Sequence, residues 1–259
     1  EGAYGQAAMK TYFGEDCNSY SVRTFRDAME AIEEGAADYA VLPIENSTAG
    51  AVNEVYDLLV EFENYIVGEV IIPITHTLAG LPGTQLSELK RVYSKAEALM
   101  QTTRFLEEHS DWQQISVANT AIAAKKILDD QDRTQAAVCS AYAAKVYGLE
   151  VLEDNINDES GNCTRFIIVT NQKVFLKGAK KISICFEVPH ESGSLYHLLS
   201  HFIYNDLNMS KIESRPIEGR SWEYRFFVDF EGNLEEPGVK NALRGLREES
   251  RSLKILGNY

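Results

Sequence analysis

The last part of the chain carries the pattern that most restricts its fold. Ile182, Ile184, Phe186 and Val188 alternate with polar neighbours, the period of a half-buried strand. Leu195, Leu198, Leu199, Phe202 and Ile203 then share one helical face. Ser210–Arg215 reads as a strand, and Trp222, Tyr224, Phe226 and Val228 alternate again. Pro237 opens a helix bearing Val239, Leu243 and Leu246, and Ser252–Leu256 closes as a strand. The order is βαββαβ, the ferredoxin-like plan, in roughly 80 residues, a usual size for a small domain. The basic stretch Lys177-Gly178-Ala179-Lys180 stands before it as a linker.

Upstream, the rhythm is that of a layered α/β unit. Asp27–Glu34 reads as a helix closed by Gly35, and Tyr39–Leu42 as a short buried strand ended by Pro43. Val52, Val55, Tyr56, Leu59 and Phe62 fall at helical spacing, and Val67–Ile74 reads as a strand. Val92–Ser94, Ala136–Cys139 and Phe166–Thr170 look like strands. Ala96–Glu107, Thr120–Leu128 and Ala141–Tyr147 look like helices, the last ended by Gly148. The 259 residues make one large or two smaller domains, long enough for a core without disulfide or metal staples.

A formal net charge of -14 narrows the partners. Such a field repels nucleic acid and anionic membranes, so neither is expected as a partner, and an anionic ligand needs a locally positive site. Cys17, Cys139, Cys163 and Cys185 are widely spaced, as in a reducing compartment. No signal segment opens the chain, and runs such as Glu69–Ile74 are too short to span a bilayer, so a cytoplasmic location is expected. The N-x-S/T triplets at Asn46, Asn162 and Asn208 then read as chance.

Few segments offer chemistry. Pro43-Ile44-Glu45-Asn46-Ser47-Thr48-Ala49-Gly50 lies between a strand and a helix. Asn46, Ser47 and Thr48 are either helix caps or donors to an anion at a helix N-terminus. Ser94 and Thr120 each stand between an apolar run and a helix, open to the same two readings. In Asn162-Cys163-Thr164-Arg165-Phe166, a guanidinium that can grip a carboxylate adjoins a hydroxyl, just before a buried strand. His197 and His201 are i, i+4 on one helix but lack a third ligand, so no metal site is expected. Gly193-Ser194-Leu195-Tyr196 joins strand to helix, and Glu213-Ser214-Arg215-Pro216 ends a strand. Phosphate-loop, dinucleotide and G-x-S-x-G patterns are missing from the sequence.

In order, these segments resemble the prephenate dehydratase family over nearly the whole chain. The landmarks are Gly2-Ala3-Tyr4, Pro43 to Gly50 with Val52, Asn119-Thr120-Ala121 with Ala123-Ala124, Ala136 to Ser140, Tyr147-Gly148-Leu149, Thr164-Arg165-Phe166, Gly193 to Tyr196, Glu213 to Pro216, and the ending Leu256-Gly257-Asn258-Tyr259. Three departures stand out. Gly5 replaces the family's usual Ser. Ser94-Lys95-Ala96 stands for Ser-His-Pro, and the strand that precedes Gly-Ala-Tyr is missing, read as trimming or disorder.

The resemblance implies a lyase that turns prephenate into phenylpyruvate, water and carbon dioxide, with no metal or organic cofactor. It implies a catalytic domain over 1–176, two-lobed like a type II periplasmic binding protein. Lobe one covers about 1–73 and 152–176, lobe two about 74–151, and the site lies between them. An ACT domain over 180–259 follows. Thr164 and Arg165 are the implied catalytic pair, with Asn46, Ser47, Thr48, Ser94, Gln101, Thr120 and Phe166 on the substrate. L-phenylalanine is the implied allosteric ligand, held by Gly193, Ser194, Leu195, Asn208, Glu213, Ser214, Arg215 and Pro216 between subunits of a homodimer or homotetramer. Arogenate dehydratase, an exported solute-binding protein and a non-catalytic amino-acid sensor are the competing readings.

Overall fold

A computed structural model of the protein describes residues 2–259. In chain order the elements are α1 (Tyr4–Phe13), α2 (Phe25–Glu33), β1 (Ala40–Asn46), β2 (Gly50–Ala51), α3 (Asn53–Glu61), β3 (Tyr65–Pro73), β4 (Thr77–Gly80), β5 (Arg91–Ser94), α4 (Ala96–Met100), α5 (Thr103–Glu107) and β6 (Gln113–Ser116). There follow α6 (Thr120–Asp130), β7 (Gln135–Cys139), α7 (Ala141–Val146), β8 (Glu150–Glu153), β9 (Cys163–Thr170), β10 (Lys181–Glu187), α8 (Ser194–Tyr204), β11 (Met209–Ile217), β12 (Arg220–Glu231), α9 (Pro237–Glu249) and β13 (Ser252–Asn258). The class is α/β, and the final six elements run βαββαβ. Among the described residues no helix is long and apolar enough to cross a membrane.

Contacts divide the chain into two units, 1–21, 45–50 and 70–166 against 22–44, 51–69 and 167–259. In the first, β6-β5-β7-β4-β8 form a sheet in which β5 runs parallel to β6 and β7 while β4 runs antiparallel to β7 and β8. β7 is buried at every position, because Ala137 and Cys139 face one apolar cluster and Ala136 and Val138 the other. A strand covered on both faces reads as a continuous apolar run.

The other sheet runs β11-β12-β10-β13-β3-β9-β1-β2. Ile182, Ile184 and Phe186 of β10 pack with Leu198, Phe202, Phe230 and Leu246 into one core. Met29, Leu42, Ile44, Leu59 and Ile167 build another with Phe227 and Leu256.

This division is not the one drawn from the sequence, which cut at 73, 152 and 176. The reason is that residues 51–69 are bound to the chain's end. Tyr56 meets Phe227 edge-on, with ring centroids 4.9 Å apart. Arg215 holds Asp57 with two bonds of 3.0 and 2.7 Å. Lys254 donates to the carbonyls of Leu59 and Phe62, and β13 pairs in parallel with β3 at Gly257 and Ile66.

Three local readings also change. β1 continues through Pro43 to Asn46 rather than ending there, because its outer neighbour β2 is only Gly50–Ala51 and asks little of the ladder. The helix read over Ala96–Glu107 breaks at Gln101 and Thr102. There Asp158 accepts from the amides of Thr103 and Arg104, both at 2.8 Å, and starts a new helix. β9 begins at Cys163, so Thr164 and Arg165 belong to the strand instead of preceding it.

Glu187 closes the β10–β12 ladder opposite Arg225. Its carboxylate accepts from Arg220 at 2.6 Å and Arg225 at 2.7 Å. Burial pushes this carboxyl up, but the hydrogen bonds of the two guanidiniums outweigh it and hold it below the usual range. A depressed folded value means stability that is present above the unfolded pKa of about 4.3 and is lost as pH falls through the folded value. Glu187→Gln therefore costs about 2 kcal/mol at pH 7. Thermal melts of variant and parent should draw together as pH falls below the unfolded value and meet once it is below the folded one. A gap that persists at acid pH rules the ion pairs out as its source.

Candidate active site

Four segments of the first unit, at 46–49, 76, 101 and 162–164, are joined in one hydrogen-bonded network. Asn46 ends β1, and its Oδ1 accepts from the amides of Thr48 at 2.9 Å and Ala49 at 2.8 Å, which folds 46–49 into a tight turn. Its Nδ2 faces Asn162 Oδ1 at 2.8 Å, the Cys163 carbonyl at 3.1 Å and Thr164 Oγ1 at 3.0 Å. Ser47 fastens the turn to β9, its amide donating to the Cys163 carbonyl at 2.9 Å and its hydroxyl accepting from the Cys163 amide at 3.0 Å. Asn162 Nδ2 reaches Gln101 Oε1 at 3.0 Å, and the same oxygen lies 3.0 Å from His76 Nε2. The break between α4 and α5 puts Gln101 at the end of α4, with its carbonyl bonded to the Asp158 amide.

His76 lies between β3 and β4 and is 2 % exposed. Asn157 accepts its backbone amide at 2.7 Å. On its far side the Tyr4 hydroxyl donates to the Thr75 carbonyl at 2.8 Å and sits 3.4 Å from Nδ1. Burial lowers the pKa of His76, more than Gln101 and the charge of Glu97 raise it, and so favours the neutral ring. Burial likewise raises the pKa of Tyr4.

The site differs from its reading in the sequence. Asn46, Gln101 and Thr164 are brought into one hydrogen-bonded network, with Ser47 and Thr48 in the attached turn. Neither Ser47 nor Thr48 caps a helix, since α3 starts only at Asn53 after Val52. The amides of Ser47, Thr48 and Ala49 are spent on Cys163 and Asn46, so no helix-end anion site forms there. Ser94 is fully buried and donates to the Val138 carbonyl at 2.6 Å, a bond that ties β5 to β7 instead of one offered to a substrate. Asn119, not Thr120, caps α6, and Thr120 is its first residue. Phe166 is buried; a Cβ added at Gly5 would stand 3.9 Å from its ring.

Thr164 and Arg165, expected side by side in one crevice, project to opposite faces of β9, as successive strand residues must. Arg165 lies 3.5 Å from Glu45, and Lys95 bonds Glu97 at 2.6 Å, so the positive groups near these segments have carboxylate partners. His76 and Asn162 join this network, and the sequence reading names neither of them as a site residue. Asn162 had a signal, as a polar residue two places before Thr164, but His76 had none beyond its rarity.

In the second unit, Gly193, Ser194 and Leu195 line a cavity of about 240 Å³ with Val188, Tyr196, Trp222, Tyr224 and Phe226. Gly193 has φ +83° at the start of α8, a conformation suited to glycine. Asn208, Glu213, Ser214, Arg215 and Pro216 lie outside this lining. Asn208 bonds Glu231, Glu213 pairs with Lys211, and Arg215 is held by Asp57. The reason is topological: β11, which carries 213–216, is the outermost strand, beyond β12.

The family model for prephenate dehydratase matches residues 1–174. A bifunctional chorismate mutase/prephenate dehydratase of Aquifex aeolicus is 39 % identical over 98 % of this chain and 69 % of its own length. Arogenate dehydratase/prephenate dehydratase 6, chloroplastic, of Arabidopsis thaliana is 37 % identical over 100 % of this chain and 66 % of its own. The crystal structure of a prephenate dehydratase from Arthrobacter aurescens in complex with L-Phe superposes with a TM-score of 0.91 at 32 % identity. That match covers 99 % of this chain and 86 % of that one. With its signature threonine bonded to the asparagine turn, residues 1–174 matched by the family model and 98 % of its length aligned to the Aquifex relative, the chain belongs to the prephenate dehydratase family.

Proposed function

We propose that this chain is a lyase converting prephenate to phenylpyruvate in L-phenylalanine biosynthesis. One observation carries the reading: Asn46 Nδ2 lies 3.0 Å from Thr164 Oγ1, which joins two family motifs far apart in sequence at one reactive hydroxyl. Prephenate is a dianion with a ring hydroxyl. Breaking its ring carboxylate's C–C bond releases carbon dioxide, and that electron pair enters the ring as the hydroxyl departs. One proton is taken up, so prephenate dianion plus a proton gives phenylpyruvate monoanion, carbon dioxide and water. Aromatisation supplies the driving force, and the protein has to hold the substrate and stabilise the departing oxygen. An amide nitrogen has no lone pair to accept with, so Thr164 accepts from Asn46 and keeps its own hydrogen for the leaving group. A threonine hydroxyl is a poor acid at neutral pH, so it acts by hydrogen bonding to developing charge, and geometry supplies much of the rest. Arg165 stands on the other face of β9 beside Glu45, so no hold on the same substrate is assigned to it.

The family match to residue 174 supports a catalytic domain over 1–176, and the βαββαβ order after it supports an ACT domain over 180–259. Phenylalanine is the proposed regulator, at the cavity beside Gly193, Ser194 and Leu195. The L-Phe complex of the Arthrobacter relative supports this. Exposed Tyr196, Ile203, Tyr204 and Trp222 support assembly as a homodimer or homotetramer. The four cysteines are free thiols, in keeping with the cytoplasm. Arogenate is a second substrate reading, favoured by the Arabidopsis relative named for both activities.

Phenylpyruvate absorbance after mixing with prephenate tests the activity, and the same assay with arogenate ranks the two. Thr164→Ala should lower kcat about 100-fold with a small change in KM. An unchanged kcat with a raised KM ends the role given to this hydroxyl. Calorimetric titration of the full chain with phenylalanine should release or absorb heat, and Leu195→Ala should weaken the binding. A folded parent that gives no signal removes the regulatory claim.

A further inference from the structure

The network around Asn46 has a direction that its obligate donors and acceptors determine. Backbone amides can only donate, so the oxygen of Asn46 that meets Thr48 N and Ala49 N is Oδ1. Its other terminal atom is then Nδ2, which faces the Cys163 carbonyl, an obligate acceptor. The atom of Asn162 that meets Nδ2 must accept, so it is Oδ1, and Asn162 turns its own Nδ2 to Gln101. Gln101 must meet that donor with Oε1. The same oxygen faces His76 Nε2 at 3.0 Å, so this ring nitrogen must carry a hydrogen. The turn at 46–49 thereby dictates, through three amide side chains, which nitrogen of a buried imidazole is protonated.

We infer that His76 and Asn162 are positioning residues for the reaction: a neutral His76 bearing hydrogen on Nε2 anchors Gln101 and Asn162, which hold Asn46 so that the Thr164 hydrogen points at the departing oxygen. His76 is buried behind Gln101, and its role runs through Gln101, Asn162 and Asn46. Burial favours the neutral ring that the arrangement uses. Nδ1 is then bare and faces the Tyr4 hydroxyl, whose stronger bond goes to the Thr75 carbonyl. The catalytic meaning rests on the dehydratase reading above, while the direction of the network does not.

Histidine labelled with ¹⁵N in the full chain reports the protonation of each ring nitrogen without substrate, and His76→Leu identifies the His76 signals. At neutral pH the expected pattern is a protonated Nε2 and a bare Nδ1. The opposite tautomer, or a doubly protonated ring, overturns the inference. Asn162→Asp leaves only acceptors at that position, so Gln101 must turn its Nε2 toward it and present a donor to His76. The tautomer should switch to Nδ1–H, and an unchanged pattern also overturns the inference. In kinetics, His76→Leu should lower kcat about tenfold with KM within about twofold, and His76→Gln, which can still donate, should recover most of the loss. Full kcat in a folded His76→Leu, or a loss that His76→Gln fails to recover, refutes the positioning role. A parent that does not turn over prephenate would sink the activity reading alone, because the labelled-histidine experiment stands without it.

Discussion

The amide of Asn46 is the interaction on which the site depends. One side chain makes the turn after β1 with its oxygen and gathers Asn162, Cys163 and Thr164 with its nitrogen. Few residues can do both. Aspartate would keep the turn and lose the donor, and serine would supply at most one hydrogen. The cost of leaving a buried acceptor unmet makes such a hub strict, since each unsatisfied group costs about 1–3 kcal/mol. Asn46, Asn162 and Thr164 are all below a tenth exposed, where a mismatched bond has little water to replace it.

The chemistry suits this economy. A reaction that gains aromaticity needs no strong acid, base or metal. It needs a shaped pocket and a donor aimed at the oxygen that takes on charge. In the proposed mechanism, neutral amides and a hydroxyl play that part in an acidic molecule. The nearby cations are engaged with carboxylates: Arg165 with Glu45 and Lys95 with Glu97.

Much of the fold was legible because periodicity reports burial. The alternation at Ile182–Phe186 and the helical face Leu198–Phe202 became the core of the last six elements. The helix break at Gln101 was not legible, because it depends on Asp158, more than fifty residues away along the chain. The site was half legible. Motif order singled out Asn46 and Thr164, which share one hydrogen-bonded network, whereas the opposite facing of Thr164 and Arg165 depended on where β9 begins. His76 could not be found, because what selects it is a through-space neighbour, and a lone histidine carries no pattern. Ser94 shows the converse: a hydroxyl at a strand end looks the same in sequence whether it meets a ligand or, as here, a carbonyl.

The parallel pairing of β13 with β3 bears on how separable the last segment is. A Cβ at Gly257 would lie 2.2 Å from the Ile66 carbonyl oxygen, so the chain's end fits there only as glycine. Removing that segment would uncover the flank of β3 and strip Phe227 and Leu256 from the cluster that holds Leu42 and Leu59. The terminal βαββαβ segment is therefore woven into its neighbour, and a shortened chain would bear an open, sticky strand where the intact one has a closed seam.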